Sequence, residues 1–166
     1  MSQSQASTTA SLRLPALDPA DVPSVSGSGY PEPYRAAVAG RCQRRLGDAL
    51  GLRNFGVNLV RLAPGAASSQ RHWHALEDEF VYMLEGEAEL VTDAGTQTLR
   101  AGMCAGFPAG KADGHHLVNR SARDAVFLVV GDRRPGLESV EYPDIDLKGR
   151  WVDGRWTYFH NDGTPW

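Results

Sequence analysis

Cysteine is scarce in this sequence: Cys42 and Cys104 are the only two among 166 residues. They lie far apart and lack the close spacing of a metal knuckle or a redox pair, so they read as free thiols. Long apolar runs are missing as well. No stretch approaches the ~18 apolar residues that a membrane span requires. The segment Met1 to Ser11 is mostly Ser, Thr, Gln and Ala. With neither a basic start nor an apolar run, it does not read as a secretory signal, and its composition predicts disorder. The expectation is a cytoplasmic protein with no membrane partner. Concentrated basic charge is absent too. The net charge is −3, and the densest basic run, Arg41 to Arg45, has Asp48 beside it. That run reads as a solvated face, so no nucleic-acid partner is expected. No Gly-x-Ser-x-Gly elbow and no Gly-x-x-x-x-Gly-Lys loop occurs, so nothing points to serine-hydrolase or phosphate-loop chemistry.

What is present divides into three parts. Residues 1–33 contain Pro15, Pro19, Pro23, Pro31 and Pro33, which a helix or central strand would not tolerate. They predict an extended arm. Residues 34–133 predict the main domain, opening with a helix over roughly Pro33 to Leu50. There Tyr34, Val38, Cys42, Leu46 and Leu50 recur every fourth residue and make one apolar stripe. From Gly56 the period changes to two. Strands are expected at Arg71–His74, Glu79–Leu84, Glu87–Thr92, Thr96–Arg100, Met103–Phe107, His115–Asn119 and Ala125–Val130, separated by turn-rich breaks. Many short strands without strand–helix alternation predict an all-β barrel or sandwich. Residues 134–166 form an aromatic-rich tail, expected to contain one strand, Arg155–His160, and to pack on the barrel or on a partner.

The chemistry concentrates in Gln70-Arg71-His72-Trp73-His74-Ala75-Leu76-Glu77-Asp78-Glu79. Residues two apart in a strand share a face, with Cα atoms about 6.5–7 Å apart. His72 and His74 can therefore converge on one ion. Glu79 opens the next strand, and His115 or His116 supplies a third imidazole. Four of the five histidines lie in these two places, and His160 reads as structural. Imidazoles plus a carboxylate suit one divalent ion: Fe, Mn, Ni, Co or Zn. Glu77 and Asp78 read as supporting groups, rival ligands or exposed acids. Arg71 reads as an anion contact or a solvated strand edge. By parity, Val60, Leu62, Val81, Met83, Leu117 and either Phe127 or Val126 point inward, with Asn58 and Asn119 as polar exceptions.

These residues resemble the cupin superfamily. Its first motif matches Gly65, His72-Trp73-His74, Glu79 and Gly86. Its second matches Gly102, Pro108-Ala109-Gly110, His115 and Asn119. Two gaps differ from the usual pattern: Gly65 to His72 is one residue longer, and Gly110 to His115 is two longer. The likeness spans about Asn58 to Gly131, and the chain looks like bacterial single-domain cupins with no assigned reaction. It implies a double-stranded β-helix, or jelly-roll barrel, with metal ligands His72, His74, Glu79 and His115. It also implies a small-molecule ligand or substrate and a homodimer. The activity expected is that of a dioxygenase or a metal-dependent isomerase or lyase. The alternative is a non-catalytic small-molecule or sugar-binding module.

Overall fold

A computed structural model describes residues 14–166. The expected disorder of Met1 to Ser11, with the start of the arm, lies outside the described residues. In chain order the elements are β1 (Ser24–Ser26), β2 (Arg41–Arg45), α1 (Leu46–Ala49), β3 (Phe55–Leu62), β4 (Trp73–His74), β5 (Glu79–Glu85) and β6 (Glu87–Thr92). Then follow β7 (Gly95–Arg100), β8 (Cys104–Phe107), β9 (His116–Val118), β10 (Ala125–Asp132), β11 (Ser139–Tyr142), β12 (Leu147–Val152) and β13 (Arg155–Phe159). They pair into three sheets, ordered β1-β2-β3-β10-β5-β8, β13-β12-β11-β4 and β7-β6-β9. Every pairing is antiparallel. The fold is all-β, as the pattern predicts, and is the jelly roll that the resemblance implies.

Alternation produces the barrel interior. Val60, Leu62, Val81, Met83, Leu117 and Phe127 are all buried and form one apolar cluster. Phe127, not Val126, is the inward residue of β10, because Phe127 pairs with Val60 and Met83 across the two neighbouring strands. Asn119 is also buried, but it faces no cavity. Its amide donates to the Leu62 and Arg123 carbonyls at 2.8 and 2.7 Å, and its oxygen accepts from Ser121. It therefore ties the turn before β10 to the end of β3.

The helix expected over Pro33 to Leu50 does not form at that length. Only Ala36–Val38 is a 3-10 turn and only Leu46–Ala49 is α-helical, while Arg41–Arg45 is a strand on β3. Close packing explains the difference. A β-carbon on Gly40 would sit 2.8 Å from the Ala66 β-carbon, and one on Gly47 would sit 2.8 Å from the Val57 amide nitrogen. Arg41 donates to the Ser68 and Gly27 carbonyls at 2.8 and 3.0 Å. Arg44 donates to Ala20 O and Val22 O. Tertiary pairing thus overrides a weak helical stripe already burdened by two glycines.

The C-terminal segment forms three strands rather than one. β11 pairs with β4 at Val140↔His74 and Glu141↔Trp73, so this sheet grows directly from the histidine-bearing strand. Its second apolar cluster joins Tyr30 and Val38 to Val140, Tyr142 and Leu147. Arg71 pins the same region. Its guanidinium forks onto Asp144 at 2.7 and 2.6 Å, contacts Asp93 and donates to Gly114 O at 3.1 Å. It is neither an anion contact nor a solvated edge.

Phe127 reports on the barrel interior. Phe127→Ala is expected to destabilise the protein by about 3–5 kcal/mol, measured by urea unfolding. A loss below about 1 kcal/mol would mean that the interior closes around the gap.

Candidate metal centre

His72 and His74 share one face, as their spacing predicts. His72 lies in an isolated bridge to His115, with backbone bonds in both directions (3.2 and 2.8 Å), and His74 lies in β4. Glu79 begins β5. The His72 and His74 Nε2 atoms are 3.2 Å apart, and His74 Nε2 is 3.4 Å from Glu79 Oε2. One ligand atom from each of the three residues lies within 4.8 Å of the others. His115 Nε2 stands at 3.8 Å from Glu79 Oε1, and the His115 ring stacks on Phe107 with centroids 3.6 Å apart. His116 turns the other way, its Nδ1 3.1 Å from Ser69 O. Of the two neighbouring imidazoles, the structure brings His115 to the cluster. His160 sits elsewhere, on Asp146 at 2.6 Å and stacked on Trp166.

The nitrogens themselves show what this arrangement can do. His72 Nδ1 faces the Gln70 carbonyl at 2.9 Å, and a carbonyl can only accept. The His72 proton therefore sits on Nδ1, and its Nε2 presents a lone pair to His74 and Glu79. Both His115 ring nitrogens and His74 Nδ1 are buried with no hydrogen-bond partner among the described residues. Buried polar atoms are rarely left so. Two donor atoms each about 2.1 Å from one ion lie about 3 to 3.5 Å apart. The 3.2 and 3.4 Å separations match, so the cluster can hold a divalent cation.

The electrostatics agree. Burial, then the neighbouring His74 ring, push the His72 pKa down to about 3. Burial also opposes protonation of His74, but the charges of Glu79 and Glu138 outweigh it and raise its pKa. Burial alone would raise the Glu79 pKa, yet the surrounding His115, His74 and His72 rings hold it far below the usual carboxylate range. An anion enclosed by imidazoles, two of them still offering lone pairs, is a cation-binding environment.

A Cupin domain family model matches residues 58–131. A solved structure from Silicibacter pomeroyi DSS-3, described as a sugar phosphate isomerase from a cupin superfamily, is 47% identical. Its TM-score is 0.88, over 92% of this chain and 96% of its own. The chain belongs to the cupin superfamily. A structure from Acidithiobacillus ferrooxidans, named as a candidate sugar phosphate isomerase, is 32% identical with a TM-score of 0.67. It covers 72% of this cupin and 76% of its own chain. The polyketide cyclase RemF from Streptomyces resistomycificus is 26% identical with a TM-score of 0.56, over 70% of this cupin and 78% of its own chain. No curated protein matches.

Three acidic residues beside the cluster have distinct parts in this cupin. Glu138 is buried, and its carboxylate accepts the Ala75 and Leu76 amides at 2.9 and 3.1 Å. The same carboxylate lies 3.8 Å from His74 Nδ1. It braces the turn between the histidines and Glu79 and faces the free nitrogen of one of them. Sequence reasoning missed it because the chain returns from 64 residues downstream of His74. The only available signal was an acid opening an alternating Val140/Tyr142 run. Glu77 accepts the Arg134 amide, and burial raises its pKa. Asp78 accepts the Ala109 amide at 2.7 Å, which supports the Pro108 turn.

The cluster borders open space. A cavity of about 680 Å³ is lined by His72 and His74 together with Glu77, Glu138, Arg53, Arg134, Trp151 and Trp156. A smaller one of about 230 Å³ reaches His72, His74 and Glu79 from the barrel side, past Tyr30, Arg41 and Asn58.

Glu138 supplies the check on this geometry. Glu138→Gln is expected to weaken divalent-metal affinity about 10- to 100-fold, read by competition with a chromogenic chelator, while His116→Ala leaves it unchanged. Equal loss in both variants would remove the assigned orientation.

Proposed function

We propose that this cupin is a metal-dependent isomerase acting on a phosphorylated sugar. One observation carries the proposal: a half-buried His/His/Glu cluster opens onto a cavity large enough for a small substrate, with arginines and tryptophans in its wall. Similarity to two proteins described as sugar phosphate isomerases supports the choice. The ligands are His72, His74, Glu79 and His115, on one divalent ion. When bound, that ion supplies a Lewis acid that polarises a substrate carbonyl or hydroxyl oxygen.

The protein's own groups do the rest. Buried imidazoles and Glu79 fix the reacting end against the cluster, and the stiff strands carrying them hold that geometry. Glu77 is the acid–base. Half-buried, with its pKa raised by burial, it sits nearer the range in which a carboxylate both takes and returns a proton. It removes the proton from the carbon next to the carbonyl and delivers it to the carbonyl carbon. The hydroxyl proton moves to the former carbonyl oxygen. The exchange of aldose and ketose is then balanced, with no oxidant needed.

The experiment is proton NMR in D₂O with metal-loaded protein and a panel of aldose and ketose phosphates. Interconversion with deuterium entering at the carbons next to oxygen is expected. His72→Ala and His74→Ala should lose both metal, by elemental analysis, and exchange. Glu77→Gln should keep metal and lose about 10²- to 10⁴-fold in rate. Binding of a phosphorylated sugar without exchange would instead favour the binding module. Oxygen uptake with Fe(II) would favour a dioxygenase.

We also propose a homodimer. Phe80, Tyr82 and Leu84 alternate with buried Val81 and Met83 and stand exposed on the outer face of the largest sheet, beside Met103. A contiguous apolar face of this kind is a pairing surface. Tyr82→Lys is expected to shift the light-scattering mass to that of one chain; an unchanged mass would place any contact elsewhere.

A further inference from the structure

The 680 Å³ cavity is built from two sources. His72, His74 and Glu77 lie inside the family-matched segment 58–131; Arg53, Arg134, Trp151 and Trp156 lie outside it. We propose that Arg53 and Arg134 form a seat for a phosphate dianion, and that Trp151 and Trp156 form the wall on which the substrate's sugar rests.

Charges of both signs line the wall in equal number, and their partners decide which are free to meet an anion. Three arginines and three acids line it: Arg53, Arg133, Arg134, Asp48, Glu77 and Glu138. The acids are engaged. Asp48 pairs with Arg133, Glu138 accepts two backbone amides, and Glu77 accepts the Arg134 amide. Arg133 is taken up by Asp48 and also donates to the Leu52 carbonyl at 3.3 Å. Among the described residues, Arg53 and Arg134 have no carboxylate partner. The Arg133 amide donates to the Asn54 carbonyl at 3.1 Å, so the loops carrying these two guanidiniums are tied side by side. Planar guanidinium forks match phosphate oxygens in shape as well as charge.

The aromatic wall is rigid. Trp151 and Trp156 face each other across the β12–β13 hairpin, with ring centroids 6.1 Å apart at 84°. Trp156 lies on Gly149 so closely that a β-carbon there would fall 2.4 Å from Trp156 Cζ2. Tyr158 supports it edge-on at 6.4 Å. A fixed ring offers an apolar surface to the C–H face of a sugar without ordering cost at binding.

The sugar half rests on the isomerase reading; the phosphate half does not. The test uses metal-loaded protein with inorganic phosphate as the probe, read by calorimetry and tryptophan fluorescence. Arg53→Ala/Arg134→Ala is expected to weaken phosphate binding by about tenfold or more per arginine. The Arg53→Lys/Arg134→Lys pair should recover part of that loss. Thermal melting of each variant confirms its fold. An unchanged phosphate affinity in the double alanine variant overturns the seat. Trp151→Ala should raise KM for a phosphorylated sugar several-fold and leave inorganic phosphate affinity unchanged; an unchanged KM overturns the wall. The two readings separate cleanly. Phosphate binding lost in the double variant, with no sugar phosphate isomerised by the parent protein, leaves the seat standing and removes the isomerase. Isomerisation with unchanged KM in the double variant does the reverse.

Discussion

Everything at this site depends on lone pairs and a carboxylate directed at one another in a half-buried place. His72 presents Nε2 because the Gln70 carbonyl claims the proton on its other nitrogen. Glu79 presents a carboxylate held in its charged form. Alone, such groups repel or leave desolvated charge, and either is costly in a buried place. A divalent cation at their common focus would reconcile them. The antiparallel ladder fixes the position of that focus at the edge of the cavity. Stability and binding would then be linked: what the barrel loses by enclosing polar atoms, a bound cation would restore.

The supports of this arrangement come from unexpected directions. Arg71, one residue before His72, turns from the cluster to join Asp144 and Asp93. Glu138 crosses from the opposite strand to hold the turn after His74. Each uses a full charge to secure a few loop residues, so the ligands gain precision without more apolar packing around them. Such supporting contacts matter to a metal site nearly as much as the ligands themselves.

Much of this was legible in the sequence. The parity of His72 and His74, the turn to Glu79 and the regular β breaks are local features, and local periodicity records them faithfully. The fold and its inward residues follow from the same rule. The choice between His115 and His116 was not local. Opposite faces of one strand are equivalent until a neighbouring strand selects one, and here the bridge from His72 to His115 does so. The Pro33 to Leu50 segment misled for a related reason. Its fourfold apolar spacing is real, but β3 offers a partner edge and Gly40 and Gly47 allow the close approach. Glu138, Arg53 and the tryptophan pair acquire meaning only through long-range contacts, which no window along the chain contains.

The pairing of β11 with β4 carries a further implication. The strand holding His74 is hydrogen-bonded to the hairpin region that carries the aromatic wall. The segment matched by the family model, residues 58–131, thus has structural partners outside itself. Excised, it would keep its ligands but lose the Glu138 brace, one side of the cavity and the partner of its shortest strand. The hairpin can therefore reshape the far side of the cavity without touching His72, His74 or Glu79, provided that a carboxylate still reaches the Ala75 and Leu76 amides.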